Sequence, residues 1–381
     1  METKKIYKFI ILMGFVSLFG DTVYEGTKGI AGPYLYSLGA SLFIVSFTAG
    51  LGEFLGYALR FISGYFSDKY KTYWIFTFIG YGLIASIPLL ALVDRWDIAV
   101  LFILLERIGK GIRSSARDAI ISFATSNIGR GLGFGIHEAF DRLGSIIGPL
   151  IFLASFGLSG SYKTGFLVML IPFILLMMCL ILAYKILPNP SVMEKPQDKP
   201  YDSKILYMYM LFSFFAIISF PQYPVISYHL KMHNIFSEQI IVLLYTVTMV
   251  FDLIFSLLVG KFYDKWKFKV LLLVPIATFV LPIFAFQDSK FLAVLGIVLY
   301  GFIMAFHQSV MRAAIADLIS ISKRGTVYGL FNLIFGVGYL LGGIFIGYLY
   351  NFGYFYIMIF ALFSQILSMY FLTKLNHRYQ I

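Results

Sequence analysis

Ten formal charges fall within the 37 residues from Glu106 to Arg142, in a chain that is only 13% charged. They are Glu106, Arg107, Lys110, Arg113, Arg117, Asp118, Arg130, Glu138, Asp141 and Arg142, with His137 beside them. Acids and bases at this density can pass protons, pair across helices or hold a charged solute. Glu106, Lys110, Arg113 and Arg117 are spaced 0, 4, 7 and 11, which puts them on one helical face. Glu106 and Lys110 can pair along that helix. His137 and Asp141 share the face of Gly144 and Gly148, and Glu138 and Arg142 share the neighbouring one. A second set, Asp21, Glu25 and Lys28 at 0, 4 and 7, again lines one face.

The elements that carry these groups are membrane spans. The chain has 381 residues, is 60% hydrophobic and has a mean hydropathy of +0.85, against roughly 45–50% apolar in soluble domains. Apolar runs long enough for a helix to cross ~30 Å of hydrocarbon recur along it. No alternating strand pattern occurs, which excludes a β-barrel. The fold class is an all-α integral membrane protein with twelve spans, at about 7–37, 40–67, 73–93, 97–121, 131–157, 161–187, 204–230, 237–262, 268–286, 290–319, 325–350 and 352–374. The first span follows Lys4, Lys5 and Lys8 without a small-residue cleavage site and is expected to be retained. The net charge of +11 does not point to nucleic acid. With the N-terminus inside, eighteen Lys and Arg fall on the cytoplasmic side and four (Arg95, Lys163, Lys231, Lys290) outside. That asymmetry predicts both termini in the cytoplasm of a cell-membrane protein.

Ionisable groups inside spans cost roughly 2.5–3.5 kcal/mol each on insertion scales and are read as functional. Measured from Asp97 at 1.5 Å per residue, Glu106 and Arg107 lie ~14 Å down, near the midplane. Arg113 and Arg117 lie ~24 and ~30 Å down, where they either reach cytoplasmic water or serve the loop after span two. Asp141 lies ~16 Å from Arg130. It is a proton-coupling candidate or the partner of an arginine in span four. Glu53 at mid-depth must face protein or a cavity. In the other half the midplane polar residues are Asp252, His307, Gln308 and Asn332, and Phe220-Pro-Gln-Tyr223-Pro predicts a broken or kinked span.

The sequence repeats. Leu187–Lys204 is the one long polar connection, rich in Pro and charge, and reads as a flexible linker. It divides the chain into a six-helix bundle at 1–187, a cytoplasmic linker at 188–203 and a second bundle at 204–381. Gly64-Tyr-Phe-Ser-Asp68-Lys69-Tyr-Lys71 returns 196 residues on as Gly260-Lys-Phe-Tyr-Asp264-Lys265-Trp-Lys267. Arg130-Gly131 returns as Arg324-Gly325, and Gly144 and Gly148 return as Gly338 and Gly342, at an offset of 194. Arg117 returns as Arg312. Parallel six-span repeats are a transporter architecture.

On these residues the chain resembles the major facilitator superfamily over essentially its whole length, most closely prokaryotic members. The two Gly-x-x-x-Asp-Lys loops are similar to the family's motif A, although they continue Tyr-Lys-Thr and Trp-Lys-Phe where the family has Gly-Arg-Arg. Arg107-x-x-Lys110-Gly111 resembles motif B, with Lys110 in place of the usual Gln. Gly135-x8-Gly144-x3-Gly148-Pro149 resembles motif C of antiporters, with Phe152-Leu153 in place of its closing glycines.

The resemblance implies alternating access around a cavity lined by spans one, four, seven and ten. It implies proton coupling at Asp21, Glu53, Glu106, Arg107 and Asp141. Substrate contacts are expected at Glu25, Lys110, His137, Glu138, Tyr223, His307 and Gln308. A cytoplasmic gate is expected at Gly64, Asp68, Lys69, Arg117, Asp118, Gly260, Asp264, Lys265 and Arg324, with helix packing at Gly135, Gly144, Gly148 and Pro149. The expected activity is proton-coupled efflux of a small solute. The alternatives are import or facilitated diffusion of a polar metabolite, and export of a metal ion or chelate. The expected partners are protons, a small-molecule substrate and lipid, with the protein acting as a monomer. No Gly-x4-Gly-Lys-Ser/Thr loop, His-Glu-x-x-His, Cys-x-x-Cys or nucleophile elbow occurs, so neither an enzyme nor a cofactor is expected. His229 and His233, four apart, supply only two ligands by themselves, and no metal site is expected. Cys179 has no partner for a disulfide.

Overall fold

Inside hydrocarbon every backbone N–H and C=O must find its partner within the protein, which leaves a polar-backbone chain the helix. The computed structural model describes residues 3–125, 130–189, 203–318 and 324–379, and these contain helices and no strand. Helices α1 (Thr3–Lys28) and α2 (Ala31–Ser37) form the first span, and α3 (Leu42–Tyr70) the second. The third is α4 (Tyr73–Gly82) and α5 (Ser86–Leu89), each followed by a 3-10 turn. Then come α6 (Trp96–Ala124), α7 (Arg130–Ser159), and α8 (Tyr162–Val168) with α9 (Leu170–Ile186). The second half runs α10 (Ser203–Ile218) and α11 (Tyr223–Met232), then α12 (Glu238–Trp266). A 3-10 stretch at Lys267–Leu272 leads into α13 (Leu273–Ala285). The tenth span is α14 (Lys290–Ala305), a π-helical segment at Phe306–Val310 and α15 (Met311–Leu318). Helices α16 (Arg324–Tyr350) and α17 (Tyr354–Tyr379) complete it.

Ten described stretches are long and apolar enough to cross a bilayer. One of them, Glu238–Ala285, has 48 residues. As one helix it would run ~72 Å, over twice the hydrocarbon thickness, and it breaks at Lys267, so it is two spans. Helix α6 is 29 residues long but too charged to pass on composition. It fills the fourth place in the repeat, and the twelve-helix, two-repeat architecture stands.

The repeat extends to backbone detail. Lys71 and Lys267, at matching places in the two Gly-x-x-x-Asp-Lys loops, both have positive φ, 56° and 47°. That region costs an L-residue roughly 1–2 kcal/mol. The first span of each half is broken near its far end, at Gly29–Ile30 between α1 and α2 and at 219–222 between α10 and α11. Pro221 stops α10 by removing a backbone donor, whereas Pro224 sits in the opening turn of α11, where a missing N–H costs nothing.

Close helix pairs are matched as well. A Cβ at Gly144 would strike the Leu18 carbonyl and one at Gly148 the Thr22 carbonyl, so α7 lies backbone to backbone on α1. In the other half Gly338 and Gly342 meet Ile217 and the Ile218 carbonyl, which sets α16 on α10 in the same way. Such contact is open only to residues without a side chain. Gly135 does not share it, and has nothing within 4 Å. Nine residues at 100° each place it half a turn away from Gly144.

The chain divides into two compact units. The first comprises Met1–Gly39, Leu55–Glu194 and Glu238–Thr246, and the second Ala40–Phe54, Lys195–Ser237 and Val247–Ile381. Each thus takes the opening turns of one helix from the other half of the sequence. In the first, Tyr245 of α12 packs on Gly29. In the second, the Ser46 hydroxyl of α3 donates to the Gly343 carbonyl of α16 at 2.8 Å. The expected linker lies mostly outside the described residues.

Candidate functional site

The first unit gathers charge on α1, α6 and α7. On α6, Glu106, Arg107 and Arg113 are buried at 1%, 6% and 3% exposure. Glu106 Oε1 lies 3.4 Å from Arg113 Nη2, and Oε2 lies 3.8 Å from Arg107 Nε. The spacing of seven residues brings Arg113 back to Glu106 after two turns. Arg113 also donates to the Gly80 carbonyl at 3.3 Å and lies 5.0 Å over the Tyr81 ring of α4. The approach is open because Gly80 and Gly109 carry no side chain. A Cβ at Gly80 would lie 2.6 Å from the Gly109 carbonyl oxygen.

Tyr24 of α1 joins this network, and the motifs gave no sign of it. Arg107 donates to its hydroxyl, and Arg107 and Lys110 lie 4.4 and 4.1 Å from its ring centroid. A desolvated cation over an aromatic face gains up to about 2 kcal/mol. Lys28 approaches the same ring at 5.5 Å. Lys110 therefore faces α1. The signal in the sequence was position, because Tyr24 is three residues after Asp21 and adjoins Glu25.

Asp21 and Asp141 face each other across the α1–α7 contact. A Cβ at Gly144 would lie 3.1 Å from the Asp21 Cβ, so the glycine that lets the helices touch also makes room for the acid. Asp21 interacts electrostatically with Asp141, Lys110, Glu25 and Arg113. Asp141 accepts a hydrogen bond from the Ser17 hydroxyl and interacts with Arg117, His137 and Lys110. His137 is buried and its Nε2 has no partner. Glu25 accepts from the Tyr245 hydroxyl. Asp21, Glu25, Glu106, Arg107, Lys110, His137 and Asp141 are thus brought together within one unit.

Other expected residues fall elsewhere. Glu138 is exposed and pairs with Arg142 along its own helix at 3.1 Å. At 100° per residue it lies on the flank of α7, beside the face that carries Gly144 and Gly148. Glu53 is half-buried on the part of α3 that belongs to the second unit. Arg117 is the exception, since it interacts with Asp141 of the cluster while bonding its neighbour Asp118 through Nε and Nη2 at 2.9 and 2.8 Å. Asp68 is exposed and accepts from the Tyr73 hydroxyl at 3.0 Å. Lys69 lies over the Tyr65 and Tyr70 rings. Gly64 packs on Ser115, where a Cβ would come within 3.2 Å, whereas Gly260 has open space. Asp264 and Lys265 are exposed, with Lys265 5.3 Å over the Trp266 ring. The side chains of Arg130 and Arg324 lie outside the described residues. Pro149 sits inside α7 beside the Gly148 contact.

The second unit has a different polar cluster. His307 and half-buried Gln308 lie in the π-helical segment. That irregular turn is a frequent mark of functional sites. His307 is buried, neither ring nitrogen has a partner, and it stands edge-on to Phe220 and Phe335 at 5.0 and 6.0 Å. Tyr223 is fully buried, and its backbone N–H donates to the Tyr300 hydroxyl at 3.1 Å. Gln222, in the break between α10 and α11, is buried with an unpartnered Nε2. It stands between Pro221 and Pro224, the two prolines that open the helix.

Twelve membrane-length helices in two repeats, with titratable groups enclosed between them, are the architecture of a multi-pass membrane transporter. The chain belongs to the major facilitator superfamily, whose family model matches residues 10–233 and 205–379. It is 30% identical to an uncharacterized protein of Mycobacterium tuberculosis over 91% of this chain and 87% of that one. It is likewise 30% identical to an uncharacterized MFS-type transporter of Methanocaldococcus jannaschii, covering 91% and 90% of the two chains. The fold matches a crystal structure of a mutant of the nucleoside transporter NupG with a TM-score of 0.76 at 16% identity, over 96% of this chain and 99% of that one. The protein is a secondary transporter of a solute.

Proposed function

We propose that the protein is a proton-coupled exporter of a small organic solute. It would work as a monomer in the cytoplasmic membrane, with both termini inside. The observation that carries the reading is the meeting of Asp21 and Asp141 at the α1–α7 contact, where Gly144 leaves room for the Asp21 side chain and Ser17 of α1 donates to Asp141 of α7. Two acids held this close repel when both are charged, so one proton between them relieves the pair, and a cationic solute drawn to the two carboxylates can displace it. Glu106, already paired with two arginines, anchors α6 beside them. Gly144 and Gly148 support export by their likeness to the antiporter motif and by setting the helix contact at which the acids meet. The gate residues Asp68, Arg117 and Asp118 would exchange partners between the two access states.

The test is inside-out membrane vesicles loaded with a pH-sensitive dye and energised to an acidic interior. Addition of organic cations should release part of the imposed gradient, and Asp21→Asn or Asp141→Asn should abolish the release. Solute uptake with no proton movement in the unsubstituted protein would sink the coupling. That outcome would favour facilitated diffusion of a polar metabolite, the reading supported by the hydrogen-bonding atoms that His307 and Gln222 leave unused among aromatic rings.

A further inference from the structure

One polar cluster of the second unit belongs to neither set above. His229 and His233 lie one turn apart at the end of α11, where a helix puts i and i+4 on the same face. Asp288 comes from the connection between α13 and α14, with Oδ1 2.9 Å from His233 Nδ1. Tyr350, the last residue of α16, brings its hydroxyl 2.5 Å from His229 Nδ1 and 3.3 Å from His233 Nε2. The three residues His229, His233 and Asp288 each offer one ligand atom, and these atoms lie within 4.8 Å of one another. His229 is 2% exposed and its Nε2 has no partner. A buried imidazole nitrogen without a partner is an unmet demand for a bond.

We propose that His229, His233 and Asp288 bind a divalent transition cation of the zinc class, with Tyr350 orienting His229. Two imidazoles and one carboxylate suit zinc, cobalt or nickel rather than magnesium or calcium, which prefer all-oxygen shells. Bonds of roughly 2.0–2.2 Å at tetrahedral angles hold ligand atoms about 3.3–3.6 Å apart, so ligand atoms now up to 4.8 Å apart must close by about 1.2–1.5 Å. Asp288, whose side chain is 76% exposed, and His233, at 36%, have the freedom to do so. Three protein ligands leave the fourth position to water. A ligating histidine commonly bonds an oxygen through its other nitrogen, and Tyr350 stands where such a partner is needed. The ion ties together the ends of α11 and α16 and the α13–α14 connection. The site depends on neither the proposed substrate nor the proposed coupling ion.

The experiment uses the full chain in detergent, with any affinity tag removed. Titration with cobalt(II) should give the visible absorption of a low-symmetry N/O site, and zinc should quench it and raise the melting temperature, while magnesium does neither. His233→Asn and Asp288→Asn alter exposed side chains and should fold normally. Each should weaken cobalt and zinc binding by about 10- to 100-fold, and Tyr350→Phe by about 10-fold. The proposal is overturned if the unsubstituted protein shows neither the absorption nor the zinc-dependent shift. It is equally overturned if both persist unchanged in His233→Asn and Asp288→Asn, which would leave His233 and Asp288 a plain surface ion pair.

Discussion

Helix α6 and its counterpart, the run from α14 through the π-helical segment to α15, occupy the same place in the two halves yet carry opposite chemistry. The first buries Glu106, Arg107 and Arg113 in a continuous α-helix. The second buries a single unpartnered histidine in an irregular turn. Around them the scaffold is duplicated closely. Gly144 and Gly148 of α7, packed against α1, are matched by Gly338 and Gly342 of α16, packed against α10, and the positive-φ Lys71 by Lys267. The backbone contacts that let two helices touch are needed in both halves, because each half must bring its first and fifth spans together. The buried charges are not part of that packing, and they lie in the first half alone among the described residues of α6 and its counterpart. The repeat therefore keeps its packing and differs in its polar groups.

The comparison can be broken most decisively at Glu106. Glu106→Gln removes the acid between two buried arginines, and such a loss typically costs about 3–5 kcal/mol. We expect a large fall in melting temperature, measured on purified protein. A shift no larger than that of a surface substitution would mean that the network does not hold α6. Next in size is the packing pair. Gly148→Leu and Gly342→Leu should each destabilise by about 1–3 kcal/mol or more, as overpacking does, and by similar amounts. The check is the yield of monodisperse protein on size exclusion, and a loss confined to one half would contradict the duplicated scaffold. His307→Phe should change stability by less than about 1.5 kcal/mol, since an aromatic of similar size replaces a ring with no hydrogen bonds to lose. Solute transport in vesicles should nonetheless fall, and unchanged transport would remove His307 from the substrate's path. The smallest effect belongs to Glu138→Gln, which breaks only the exposed pair with Arg142 and should shift stability by about 0.3–0.5 kcal/mol. A drop in proton-linked flux there would restore Glu138 to the functional set.

Much of this was legible in the sequence, for reasons that can be named. Apolar length sets the spans because a bilayer has one thickness, and the doubled Gly-x-x-x-Asp-Lys loop marks the repeat because each needs a tight turn at the same place. Helical spacing placed His137 and Asp141 beside Gly144 and Gly148, where the structure has them. It likewise put Glu138 with Arg142 on the neighbouring face, where the two pair, but it failed for Gly135, since nine residues reverse the face. It was silent on Tyr24, Ser17 and Tyr245, whose parts depend on side chains arriving from another helix.

The sequence by itself determined a twelve-span helical transporter with a duplicated scaffold and a charged first half, because span length, composition and repetition are properties of the chain taken in order. Only the tertiary structure decided which charges pair. Glu106 goes to Arg113 and Arg107, Arg107 and Lys110 go to Tyr24, and Asp141 meets Ser17 and Asp21. It alone set Asp288 and Tyr350 beside His229 and His233, turning two histidines into a candidate cation site. Partners in space come from residues far apart along the chain, and the helix contacts that bring them within reach are fixed by packing, which no local pattern records.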